Sequence, residues 1–184
     1  MHDFDPTRYA PEVAGVLAHC ENGQRLMPLT CRDAGSPVPS ILMKTAPGDL
    51  FPESPDPSAA MAGLWLYFSC FEKAHDLVSK SETRECELWH AILHRQEPDA
   101  DNAAYWFRKV GKHPVFSKIA QDATRILGRF PRAEFQVEEW DPFAFIAFCE
   151  RARLQPGSID EQAALEIQRA EWQILFDYCA RPTQ

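Results

Sequence analysis

From residue 57 onward, apolar side chains recur at every third or fourth position, and the alternation of a half-buried strand is almost absent. A chain patterned in this way can bury its apolar stripes only by packing helix on helix, so the expected fold is all-α. Asp56-Pro57-Ser58 starts a helix running to about Val78, with Met61, Leu64, Trp65, Phe68 and Phe71 as its buried stripe. Ser79-x-x-Glu82 has the form of a capping box and predicts a second helix over 82–96, with Cys86, Trp89, Ile92 and Leu93 facing inward. Pro98-Asp99 starts a third helix that ends at Val110, and Gly111-x-His113-Pro114 opens a fourth through Ile126. Asp141-Pro142 opens a strongly apolar helix to about Leu154, and Ser158-x-x-Glu161 caps a last one to about Cys179. With a short helix from about Thr7 to Cys20, this makes an irregular bundle of about seven helices arranged as αα-hairpins.

Between that first helix and the body stand Pro28, Pro37, Pro39, Pro47, Pro52, Pro55 and Pro57, whose fixed φ and missing donors exclude a long helix. An irregular stretch this long belongs in a compact domain when it covers something, and Leu42, Met43, Leu50 and Phe51 are available to anchor it. Residues 1–57 are therefore expected to wrap the helical body, 58–184, as an arm or lid within a single domain. A chain of 184 residues is long enough to bury a core without a metal or disulfide staple.

The formal charge of -8 opposes phosphate backbones and anionic bilayers over most of the surface, so nucleic acid is not an expected partner. The longest apolar run, AAMAGLWLYF, is about half of the ~20 residues that span a membrane. The opening MHDFDPTRYAPEV has neither a basic nor an apolar leader region, which points to the cytoplasm. There the six cysteines, none in a C-x-x-C pair, read as reduced and mostly buried thiols.

Four of the six histidines, at 75, 90, 94 and 113, fall within forty residues. At 100° per residue, Glu87, His90, His94 and Glu97 occupy a strip about 80° wide on one helix, turned away from Trp89 and Ile92. Imidazoles at i and i+4 project side by side and can share one divalent metal ion, with Glu87 adding a carboxylate one turn back. If the preceding turn lies near residue 81, His75 comes level with Glu87, and Glu72 with His90. The candidate metal ligands are therefore His75, Glu87, His90 and His94. With Glu150, Glu166 or Glu171 from later helices, they would make half of a carboxylate-bridged two-metal site.

Laying the third helix against the second brings Asn102 level with His94, and Trp106 with His90. His113 returns near Glu85 and Glu87. Tyr105 and Arg108 lie on the polar stripe of the third helix. A pocket so lined has the parts for acid–base chemistry, with His90, His94, Glu97 and Tyr105 as catalytic candidates. Asn102, Arg108, Lys112 and His113 are the candidates for holding a small anionic ligand. Lys112 and His113 stand beside the free amides of the helix opened by Pro114, in a stretch where basic residues outnumber acidic ones. The competing reading makes Glu97–Arg108 a surface ion pair, the histidines solvated, and the protein an interaction scaffold without chemistry.

The segment WHAILHRQEPDADNAAYWFRKVGKHPVF, residues 89–116, together with the upstream EKAHDLVSKS, resembles a family of uncharacterised microbial proteins. That family has a W-H-x-x-x-H-R-x-E-x-D-x-x-N-A-x-Y-W-F-R-x-x-G-x-H-P block, and the resemblance brings no activity with it. AAYWFRKV is also similar to one helix of a Sel1-type or tetratricopeptide repeat, the basis for the scaffold reading.

Overall fold

A computed structural model describes residues 2–30 and 38–181. Among these residues the chain has ten α-helices and no strand. They are α1 (Pro11–Ala18), α2 (Ser40–Lys44), α3 (Pro47–Leu50), α4 (Pro57–Tyr67), α5 (Phe71–Val78), α6 (Arg84–Gln96), α7 (Ala100–Val110), α8 (Val115–Leu127), α9 (Pro142–Ala152) and α10 (Ile159–Ala180). Three more helices are present than the periodicity suggests. Two, α2 and α3, are single turns set between the prolines of the arm. The third arises because the helix expected over 58–78 is broken at Ser69.

That break is a Schellman closure. Cys70 N–H donates to Trp65 O at 2.8 Å and Ser69 N–H to Leu66 O at 2.9 Å, and Ser69 takes the left-handed φ of 59° that such an ending demands. The start of α6 also differs from expectation. Thr83, not Ser79, caps it, accepting from Cys86 N–H at 3.3 Å, while Ser79 closes the end of α5. The expected cap of α10 is present, with Ser158 Oγ accepting from Glu161 N–H at 3.0 Å.

Helix α4 is buried from Ala59 to Tyr67, packed against α5, α6 and α10. Gly63 makes that approach possible: a Cβ there would lie 2.7 Å from Trp89 Cζ2, and its carbonyl accepts from Trp172 Nε1 at 2.8 Å. Tyr67, Trp172 and Phe176 stack through the same layer, with the Phe4 ring tilted against Trp172.

The arm is fastened to this layer by hydrogen bonds that satisfy its irregular backbone. Gln168 Nε2 donates to Met27 O and Gln173 Nε2 to Gly23 O, each at 2.9 Å, and Tyr67 Oη donates to Cys20 O at 2.8 Å. Leu42, Leu50 and Phe51 are buried as anchors, whereas Met43 is 56% exposed. Cys31 and Pro37 lie outside the described residues. Cys20, Cys70, Cys86, Cys149 and Cys179 are free thiols, and burial pushes Cys149 up to about 12. No helix among the described residues is long and apolar enough to cross a membrane.

Candidate metal centre

Glu87, His90 and His94 on the polar strip of α6 are buried, with the chain neighbours α5 and α7 packed against the helix, while Glu97 just past its end is exposed. Asp99 sets the start of α7 by accepting from Asn102 N–H at 3.1 Å. Gly111 ends that helix at φ 62°, ψ -138°, a conformation open in practice only to glycine. These two punctuation marks fix which face of α7 meets α6.

His75 from α5 and His90 and His94 from α6 come together, with one ligand nitrogen from each lying within 4.8 Å of the others. The His90 ring stacks on His94 with centroids 4.8 Å apart and meets His75 edge-on at 4.7 Å. Its other face stacks on Trp106 of α7 at 3.9 Å. His90 and His94 are buried and His75 is half-buried, so the cluster opens on the His75 side.

Burial holds His90 down to about 3, helped by its neighbours His94, His75 and Lys109. His94 is lowered for the same first reason, with Glu97 working in the opposite direction. Both rings are therefore neutral near pH 7, the state in which imidazole has a lone pair to give.

Glu97 Oε2 lies 2.9 Å from His94 Nδ1. A carboxylate can only accept, so Nδ1 carries the proton and Nε2 keeps the lone pair. With Nδ1 protonated, the Asn102 amide N–H donates to Nε2, at 3.2 Å. His90 Nδ1 is buried and has no hydrogen-bond partner among the described residues.

Other residues expected at the site go elsewhere. Glu87 pairs with Lys109 Nζ of α7 at 2.8 Å, and the converging group is the three imidazoles without it. Glu72 is exposed. The later carboxylates are each engaged by a guanidinium: Glu150 by Arg153 at 2.8 Å, Glu166 by Arg129, and Glu171 by Arg95. A two-metal carboxylate site is thus not assembled.

Tyr105 is 51% exposed, with its ring edge-on to Trp106 instead of among the imidazoles. Arg108 and Lys112 are exposed at the far end of α7. His113 is buried, but against Glu85 at 3.5 Å, Phe116 and Tyr178. Sequence spacing therefore puts in one pocket what the structure separates into two places.

Two site residues escape a search for ligands. Trp106 covers His90, and Lys109 neutralises Glu87 while lying 4.5 Å over the Trp106 ring. The available signal is the spacing of Asn102, Trp106 and Lys109, at i, i+4 and i+7 on one face of α7. No family model matches the chain, and no curated protein or solved structure is similar to it.

Proposed function

We propose that His75, His90 and His94 hold one divalent transition-metal ion, and that the protein uses this centre to bind a small anion or water for hydrolytic or other acid–base chemistry. The observation that carries this reading is the convergence of one nitrogen from each of three imidazoles, His90 and His94 buried and His75 half-buried. A tetrahedral ion with metal–nitrogen bonds of about 2.1 Å places its ligand atoms roughly 3.4 Å apart. Closing from 4.8 Å to that spacing needs a small rotation, and His75, half-buried near the end of α5, is the ring free to make it.

An all-imidazole set suits zinc, iron, copper or nickel and is foreign to magnesium and calcium. Three protein ligands leave a further coordination position, as in catalytic sites, and an ion held there supplies a Lewis acid and a water of lowered pKa. The chain's own residues do the positioning. Glu97 holds the tautomer and orientation of His94, Asn102 steadies the same ring, and Trp106 shields His90 from water. The block of residues 89–116 contributes two of the three imidazoles with Glu97, Asn102 and Trp106, so membership of the family it resembles is part of the same proposal, as is a cytoplasmic setting in which the thiols stay reduced.

The test is metal analysis of untagged protein. About one metal per chain is expected in the wild type, falling to background in His90→Ala and His94→Ala. Substitution by cobalt should give the visible absorption of nitrogen-ligated cobalt. A protein that arrives metal-free and takes up neither zinc nor cobalt leaves the scaffold reading in possession.

A further inference from the structure

Away from the imidazoles, α8 and the connection leading to α9 enclose an open trough of about 720 Å³. A hollow of about 440 Å³ adjoins it at the end of α7, and the two share Lys112, Phe116, Glu139 and Trp140 in their walls. Either volume is within the range of small-molecule sites.

Three features decide what chemistry fits. Half-buried Phe116 and the exposed edge of Trp140 line both hollows and give them an aromatic wall. Arg108 and Lys112 stand exposed on the rim, and neither has an ion-pair partner among the described residues. Arg125, by contrast, is drawn to Asp122 at 3.4 Å. Glu138 and Glu139 line the trough and Asp141 the adjoining hollow, and these three carboxylates repel a phosphate or nucleotide, while a single negative charge can still be met by Lys112 and Arg108.

We propose that the junction of trough and hollow binds a small aromatic monocarboxylate, its ring against Phe116 and the edge of Trp140 and its carboxylate on Lys112 and Arg108. The site is separate from the metal centre and does not depend on it.

The test is calorimetric titration of the full chain with naphthoate, with the matched neutral alcohol naphthalenemethanol, and with inorganic phosphate. Naphthoate should bind about tenfold more tightly than the alcohol, and phosphate should give no heat. Lys112→Ala should abolish the preference for the carboxylate, and Trp140→Phe should weaken naphthoate severalfold. Lys112 is exposed, so its replacement leaves folding aside. If Trp140→Phe does not fold, Gln121→Trp at an exposed position of the lining should fill the trough and abolish binding. Absence of binding at millimolar naphthoate, an unchanged preference in Lys112→Ala, unchanged affinity in Gln121→Trp, or phosphate binding as tightly as naphthoate would each overturn the proposal.

Discussion

Neighbouring residues on α6 are buried for opposite reasons. Arg95 turns to one side, where it is 1% exposed and grips the Glu171 carboxylate with two of its nitrogens, one at 3.1 Å. Its guanidinium lies 4.6 Å over Phe145. Burial works against the charge and Glu171 more than restores it, so Arg95 remains a cation. His94 turns to the other side with His90, where burial leaves the rings neutral and His90 Nδ1 unmet. A buried pair whose charges answer each other holds α6 to α10. On the other face burial gathers neutral imidazoles, the arrangement proposed above to hold a metal ion.

Breaking the pair should have the largest effect. Glu171→Ala leaves Arg95 charged and alone, at a cost of about 3 to 5 kcal/mol in unfolding free energy, measurable by denaturant titration. Glu171→Leu with Arg95→Met should recover most of that, since a packed apolar replacement removes both charges together. If Glu171→Ala unfolds with the wild-type midpoint, the ion pair is not what fixes α10 against α6.

The cluster should respond to metal instead. Zinc at about 100 times its dissociation constant should stabilise the wild type by about 2.7 kcal/mol and His90→Phe not at all. Phenylalanine keeps the stack on Trp106, so the metal-free stability of the variant should stay close to wild type. Equal zinc stabilisation of both proteins breaks the contrast between the two faces.

Acid provides a third separation, in chelated protein. His90 titrates near 3 when folded, below the ordinary 6.5, so the unfolded chain takes up the proton first. The stability this ring contributes is complete above about pH 6.5 and is lost as pH falls towards 3, at no more than about 1.4 kcal/mol per unit. His75, His94 and Lys109 face the ring and hold its proton off, and Glu97 reaches it only through His94. Unfolding free energy in His90→Phe should therefore fall less steeply over that window. Identical slopes would place His90 in water.

Much of this arrangement is legible in the sequence wherever helical geometry alone decides. The i, i+4 spacing puts His90 and His94 on one face, and counting back from Pro98 brings Asn102 to His94 and Trp106 to His90, as the contacts at 3.2 and 3.9 Å have it. What spacing cannot decide is competition between partners of equal reach. Glu87 is as well placed on the helix for His90 as for Lys109, and only the rotation of α7 gives it to the lysine. Arg95, adjacent to His94 in sequence, gives no sign that its partner is 76 residues away. His113 follows the chain back to Glu85 as helix lengths suggest, yet Gly111 swings it and Lys112 off the imidazole face toward the trough.

The break at Ser69 is the least legible feature and supports the smallest prediction. No glycine or proline marks it, yet it turns the chain from α4, packed on α10, into α5, which delivers His75 to the two imidazoles of α6. A non-glycine residue held at left-handed φ is strained by about 1 kcal/mol, so Ser69→Gly should stabilise the protein by about 0.5 to 1 kcal/mol and leave metal content unchanged. Ser69→Val, β-branched at the same φ, should cost at least as much and loosen His75, lowering zinc affinity while His90 and His94 remain in place. Should Ser69→Val bind zinc as the wild type does, His75 is not the third ligand, and the centre reduces to the two imidazoles of α6.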